Sequence, residues 1–279
     1  MSALPTLIVG GSGKTGARVD ARLRARGIAT RPVSRTSAVR FDWTAPETWP
    51  AALAGVSAAY VTYQPDLAVV GAVDAIAAFA RLARLARESG VERVVLLSGR
   101  GEPRAQAAEA ALQASGVGWG VVRASWFNQN FSEGYLIDGV LAGEVALPAG
   151  AVREPFVDAD DIADVAVAAL TEARFANRVI EVTGPRALTF AEAVGEIARA
   201  AGRPVVYREI PADAFVAGLR EAGVPEPVVA LLDDLFGVVL DGRNSAVTPD
   251  IEATLGRPAR DFADYARATA ATGVWSARS

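Results

Sequence analysis

Apolar residues along this chain follow two alternating rhythms. Leu7-Ile8-Val9, Ala58-Ala59-Tyr60-Val61 and Val94-Val95-Leu96-Leu97 are unbroken apolar runs, the mark of strands buried on both faces. Between them lie longer stretches with apolar positions every three or four residues, the period of an amphipathic helix. In order, the pattern predicts a strand at 7–9, a helix from about 17 closed by Gly27, and strands at 28–34 and 39–41. A short helix at 46–53, a strand at 58–62, a long helix at 67–89 and a strand at 91–97 follow. Then come a helix at 104–114 and a strand at 117–123. Pro32 sits awkwardly in the second strand, because an interior strand cannot spare an N–H.

Further on the pattern is less regular. It predicts a short strand at 154–157, a helix at 158–171, a strand at 179–182 and a helix at 190–201. A strand at 205–210, helices at 212–222 and 228–240, and a last helix at 262–271 complete it. Strands alternating with helices predict an α/β fold with a doubly wound parallel sheet. Residues 1–150 would form a dinucleotide-binding domain. Residues 151–279 would form a smaller α/β C-terminal lobe over the sheet's carboxyl edge, with some segments returning to the sheet. No stretch of ~20 uninterrupted apolar residues is present, so no transmembrane helix is expected. The start of the chain has no basic or long apolar leader. A cytoplasmic protein is expected, with no membrane partner and as a monomer or homodimer.

The first strand runs into Gly10-Gly11-Ser12-Gly13-Lys14-Thr15-Gly16. Small residues let the backbone turn sharply and set its N–H groups against a pyrophosphate, at the positive end of the helix behind. Gly10, Ser12, Gly13, Lys14, Thr15 and Gly16 are therefore candidate cofactor residues. The spacing Gly10-x-x-Gly13-x-x-Gly16 is looser than the commonest dinucleotide fingerprint. Gly13-Lys14-Thr15 also mimics the end of an ATP-type P-loop, but that motif needs glycine where Ile8 stands. A purely structural turn is the remaining alternative.

Composition narrows the chemistry. Cysteine and histidine are both absent, which removes disulfides, thiolates, His-based triads and His metal ligands. The chain has 28 Lys and Arg, yet Lys14 is the one lysine. A net charge of −4 argues against nucleic acid as the main partner. Asp158, Asp160 and Asp161 resemble a metal cluster, but they open a helix, where acids cap and meet the dipole. No metal site is expected.

Candidate ligand residues gather at strand ends, where doubly wound sheets bind ligands. An acid at the end of strand two would bind the ribose hydroxyl of NAD, and an arginine the 2′-phosphate of NADP. Here Ser34-Arg35 stands there without an acid, which favours NADPH. Asp42 and Trp43 would lie near the adenine, or serve as a turn residue and a packed ring. Thr62, Tyr63, Gln64, Ser98 and Gly99 end the next two strands. Ser98 and Tyr63 are the candidate catalytic groups. Trp126, Phe127, Asn128, Phe131 and Tyr135 would suit a flat aromatic substrate, or be packing.

These pieces resemble the NmrA-like group of atypical short-chain dehydrogenases. The likeness rests on Gly10–Gly16, Phe41-Asp42-Trp43, the segment 90–98, Glu109-x-x-Leu112-x-x-Ser115-Gly116 and the segment 156–163. Trp49, Trp126-Phe127-x-x-Asn130-Phe131 and Trp275 extend it toward the ergot-alkaloid iminium reductases. The resemblance implies bound NADP(H) and hydride transfer to an imine or iminium, a quinone or a similar conjugated acceptor. It also exposes a departure. The Tyr-x-x-x-Lys pair of most short-chain dehydrogenases is missing, since 104–109 holds neither residue and Lys14 lies elsewhere. Relatives often carry His or Lys where Ala105 or Gln106 stands here. An alternative from the same group is a redox sensor that binds NADP(H) and acts through a protein partner.

Overall fold

The computed structural model describes residues 4–62 and 75–276. Its described residues fall into two compact units. One takes in Met1–Ala124, Ala159–Glu181 and Ala253–Gly256, the other Ser125–Asp158, Val182–Glu252 and Arg257–Ser279. The chain thus leaves the first unit at Ala124 and returns to it twice, for a helix and a strand at Ala159–Glu181 and for the short stretch Ala253–Gly256. Strands and helices are numbered along the chain.

The first unit holds the expected doubly wound parallel sheet. Its strands are β1 (Thr6–Val9), β2 (Thr30–Val33), β3 (Ala58–Thr62), β4 (Arg93–Gly99), β5 (Gly118–Ala124) and β8 (Arg178–Val182). They lie in the order β2-β1-β3-β4-β5-β8. Register runs Pro32↔Ile8↔Tyr60↔Val95↔Gly120 across the first five. The order explains Pro32, because β2 is an edge strand. Thr6 N donates to Ala29 O and Gly10 N to Val33 O, so residues 29, 31 and 33 face β1. Pro32 turns its missing N–H outward, where no ladder needs it.

The strand expected at 39–41 is not formed. Arg40 makes a single bridge to Ser34. Ser37 Oγ donates to Ser34 O and Val39 O and holds the segment as a closed loop. Phe41 still enters the core, with Trp43, Trp49 and Phe79 around it. Helices α1 (Lys14–Ala25), α2 (Trp49–Leu53), α3 (Ala75–Glu88), α4 (Pro103–Ala114) and α6 (Ala159–Thr171) belong to this unit. The apolar α6 packs on α1, and Arg22 of α1 bonds Asp160 at 2.6 Å and Asp164 at 2.5 Å. Part of the helix expected at 67–89 lies outside the described residues.

The second unit is built from short pieces. Strands β6 (Glu144–Leu147) and β10 (Val206–Glu209) pair in parallel, and β7 (Arg153–Glu154) and β9 (Leu188–Thr189) antiparallel. Helix α7 (Phe190–Ala201) has the bounds its period predicts. Thr189 and Glu192 close a capping box at its start, and Gly202 ends it at φ +64°. The helix expected at 228–240 is broken. It runs as α9 (Glu226–Asp234) and then a π-helical turn, Leu235–Val239. Helices α5 (Ile137–Ala142), α8 (Ala212–Glu221) and α10 (Asp250–Leu255) surround these pieces, α10 passing into the first unit at Ala253. The last helix, α11 (Phe262–Ala271), brings Phe262 onto Phe131 and Phe156, which also packs on Phe190, with centroids 5.0–5.7 Å apart. No helix among the described residues is long and apolar enough to cross a membrane.

Asp261 anchors this unit. It accepts Ala263 N as the cap of α11 and takes a forked pair from Arg186, Nε at 2.6 Å and Nη2 at 2.8 Å. Arg186 and the cap hold its carboxyl below the usual carboxylate value. Its stabilisation is therefore full above that usual value and disappears as pH falls through the lowered one. Asp261→Asn is expected to lower stability by roughly 1–2 kcal/mol at pH 7, given the partly solvated pair. The gap should shrink below about pH 4. Urea midpoints at pH 7 and pH 3 test this, and a gap equal at both would refute it.

Candidate functional site

The glycine corner is shaped by collisions that a side chain would cause. Gly10 has φ +75°, and its N–H and that of Gly11 both reach Val33 O, at 3.2 and 3.3 Å. Gly13 N donates to Gly10 O at 2.8 Å and closes the turn. A Cβ at Gly11 would sit 2.5 Å from Pro32 Cβ, and one at Gly16 would strike Gly10 O. Helix α1 can start so close only because both lack one. Gly13 caps α1 with no side-chain bond, and the first turn holds no acid. Among the described residues, the N–H groups of Thr15 and Gly16 find no backbone acceptor. Ser12 and Gly13 are exposed beside them. Unpaired N–H groups at an open helix start are an arrangement that can cradle an anion. Ile8 is fully buried in β1, so no P-loop glycine can occupy its place.

Beneath the cradle, the buried Tyr60 directs its hydroxyl toward Thr15, and burial pushes that phenol well above its usual range.

At the end of β2, Arg35 is exposed and has no ion-pair or hydrogen-bond partner among the described residues. Arg40, by contrast, bonds Asp42 Oδ2 at 2.7 Å. Asp42 also accepts from Thr44 N and Oγ1, and Arg40 followed by Thr44 holds its carboxyl below the usual value. The Trp43 ring lies 5.2 Å from Phe41, 5.8 Å from Trp49 and 6.4 Å from Phe79. Both residues expected near the adenine have internal duties: Asp42 organises a turn, and Trp43 fills the core.

At the end of β4, Ser98 Oγ donates to Glu109 Oε1 at 2.5 Å. Glu109, on α4, is 2% exposed. Arg123 of β5 grips it with two bonds, Nε to Oε1 at 3.0 Å and Nη2 to Oε2 at 2.5 Å. Arg123 Nη1 continues to Glu181 at 3.2 Å, and Arg100 lies 3.5 Å from the other oxygen of Glu181. The Ser98 proton is committed inward. The Glu102 carboxylate folds over Gly99, where an added side chain would have to displace it. Sequence reasoning did not single out Glu109 as a partner of Ser98. A signal was there: Glu109 interrupts the buried stripe Ala105-Ala108-Leu112, and a charge on such a stripe needs a buried partner.

In the second unit, Trp126 is half-buried, 5.4 Å from Phe190 and 5.1 Å from Phe236. Tyr135 is 41% exposed and meets Phe236 at 6.4 Å. Phe236, itself buried in the aromatic core, touches both expected aromatics from beneath. It stands on the π-helical turn, a feature frequent at functional sites, and no periodic signal marked it. Phe131 is fully buried in the aromatic core, so it packs and does not present a surface. Phe127 is half-buried, in extended backbone bridged to Val157. Asn128 is fully buried, and neither atom of its amide has a partner among the described residues.

Tyr63 and Gln64 lie outside the described residues. Thr62, at the end of β3, places its Oγ1 beside Gly10. Asp160 is occupied by Arg22 and Arg18. Among the described residues, no three His, Cys, Asp or Glu are grouped to hold a metal ion.

No protein-family model matches the chain. An NAD(P)H azoreductase from Xenophilus azovorans is 31% identical over 291 residues, covering 95% of this chain and 98% of that protein. Agroclavine dehydrogenase from Claviceps fusiformis is 28% identical over 277 residues, 93% of this chain and 95% of that protein. Among solved structures, a Citrobacter triphenylmethane reductase complexed with NADP(H) shares the fold. Its TM-score is 0.74 over 95% of this chain and 99% of that one, at 19% identity.

Gly16→Ala tests the cradle. The added methyl must push α1 from the loop, at about 1–3 kcal/mol in stability. Dinucleotide affinity by calorimetric titration should fall more than about tenfold, since the N–H groups move with the helix. Unchanged affinity would show that this corner does not hold the ligand.

Proposed function

This chain belongs to the NmrA-like family of atypical short-chain dehydrogenases and is an NAD(P)H-dependent reductase, and we propose that it passes hydride from NADPH to a flat, conjugated acceptor. The acceptor class is an imine or iminium, a quinone, or an azo compound of the kind named for the Xenophilus relative. One observation carries the choice of NADPH: Arg35 is exposed and unpaired among the described residues at the end of β2, with no acid beside it.

The residues present fit the cofactor. The cradle a Cβ would fill at Gly11 and Gly16, with the Thr15 and Gly16 N–H groups, suits a pyrophosphate. Ser12, Gly13 and Lys14 border it, and Ser34 with Arg35 would take the 2′-phosphate. Thr62, Tyr63, Gln64, Ser98 and Gly99 are the proposed contacts toward the nicotinamide. When bound, NADPH supplies the hydride.

The chain's own part is placement more than proton transfer. Ser98 donates its hydrogen bond to the buried Glu109, whose side chain also accepts two bonds from Arg123. Ser98 therefore offers lone pairs to a ligand and steadies it without acting as an acid. With no Tyr-Lys pair, Tyr63 is the proposed protein donor for acceptors that need a proton, and water is the other source. Reduction of an iminium needs neither, because the cation becomes a neutral amine. Trp126, Phe127 and Tyr135, joined through Phe236, would hold a flat ring.

Titration with NADPH, NADP+, NADH and NAD+ tests the reading. Arg35→Ala should weaken NADPH roughly ten- to hundredfold, the worth of a charge-assisted phosphate contact, and leave NADH unchanged. A panel of iminium, quinone and azo acceptors should reveal turnover. If none of the four dinucleotides binds, the reading is wrong.

A further inference from the structure

Arg40 leaves most of its hydrogen-bonding capacity unused. Its Nη2 donates to Asp42 Oδ2 at 2.7 Å, and its other side-chain N–H groups have no partner among the described residues. The Arg40 side chain is 57% exposed, that of Asp42 only 11%. Arg40 forms a parallel bridge with Ser34, and Phe41 N donates to Ser34 O at 3.0 Å. The Ser37 hydroxyl accepts Ser34 N and donates to Ser34 O and Val39 O, which ties the loop between them shut. Partners in a bridge carry their side chains on the same face, so Arg40 stands on the side of the Ser34 hydroxyl. Thr36 N donates to that hydroxyl at 3.3 Å, and the Thr36 and Ser34 hydroxyls lie 3.4 Å apart. Arg35, next to Ser34 in sequence, is exposed and unpaired among the described residues. One closed loop at the end of β2 thus carries two guanidinium groups and two hydroxyls, a donor set for a phosphate monoester.

We propose that the Arg40–Asp42 pair sets how strictly this site prefers NADPH to NADH. Arg40 is a second cation for the 2′-phosphate, and the Asp42 carboxylate restrains it, which keeps the preference moderate. The inference rests on the cofactor reading above and concerns the specificity of that same site.

Asp42 is fixed where it can act this way. Its Oδ1 is held in the turn by Thr44 N at 3.0 Å and Thr44 Oγ1 at 2.8 Å, and its backbone N donates to Thr48 Oγ1 at 3.1 Å. Oδ2 is left for Arg40. A carboxylate held there draws the guanidinium to itself and repels an incoming dianion. NADPH is therefore favoured by Arg35 in full and by Arg40 in part. NADH carries no 2′-phosphate, so neither the second cation nor its restraint changes its binding. Removing the carboxylate is expected to strengthen binding of NADPH, the opposite of what loss of a supporting residue does.

Asp42→Asn keeps an oxygen for Thr44 and puts an NH2 group, which cannot accept from Arg40, in place of Oδ2. Calorimetric titration of the full chain with NADPH and NADH reads the effect. A second pair, 2′,5′-ADP and 5′-AMP, differs by the same phosphate and isolates the adenosine end. In Asp42→Asn, NADPH and 2′,5′-ADP should bind roughly three- to tenfold tighter, while NADH and 5′-AMP stay unchanged. Arg40→Ala should weaken the two phosphate-bearing ligands by a similar factor and leave the others alone. In the double variant most of the gain should vanish, because the residue that Asp42 restrains is gone. A turn with a structural role alone would move all four ligands together. That result, or a NADPH-to-NADH ratio unchanged in both single variants, would overturn the proposal. The cofactor reading would still stand if Arg35→Ala weakened NADPH alone. If no dinucleotide binds the wild type, the proposal and the cofactor reading both fall.

Discussion

The carboxylate of Glu109 is the joint on which the carboxyl end of the first sheet depends. It rides on α4, takes a proton bond from Ser98 on β4 and two from Arg123 on β5. Arg123 carries the charge on to Glu181 of β8. One buried acid so ties a helix to three adjacent strands. Removing either partner of such a pair leaves a buried charge alone, at about 3–5 kcal/mol, which makes the arrangement hard to lose by steps. Its chemical result is the direction of one hydroxyl. Ser98 cannot donate to a ligand while its hydroxyl donates to Glu109.

That constraint agrees with the composition. A chain without histidine has no side chain whose ordinary pKa lies near neutrality. Its cations are nearly all arginines, which keep their charge, and many are used as struts: Arg22 between Asp160 and Asp164, Arg186 between Asp261 and Glu196. Such a protein is equipped to hold charge still. The hydride transfer proposed above asks for that.

Much of the first unit was legible because its signals are local and repeated. Buried strands read as apolar runs, and Gly10 and Gly16 mark a corner that only glycine permits. The exceptions have physical causes. The segment around Arg40 looks like a strand, but the Ser37 hydroxyl closes it into a loop. Pro32 looked misplaced only while the strand order was unknown. The second unit was harder, since β6 has four residues and α5 six, too few for a period to show. The π-helical turn that places Phe236 continues the apolar pattern of α9, so the break is silent in sequence. Of the expected site residues, Arg35 and Trp126 stand where a ligand can reach them. Phe131 and Trp43 are absorbed by aromatic cores, and Asp42 by its turn. Residue type alone does not separate these fates, because each depends on which neighbours the fold brings.

Pro32 has one more effect. The outer rim of β2 is the open margin of a parallel sheet, a place where a stray extended segment can dock and grow. With a pyrrolidine ring at its centre, that margin has an interrupted row of donors. A visiting strand would meet a missing bond and a ring standing in its path. The same side chain that forbids a methyl at Gly11 therefore also guards the molecule against end-to-end sheet growth, so that crowding at high concentration finds no template on this side.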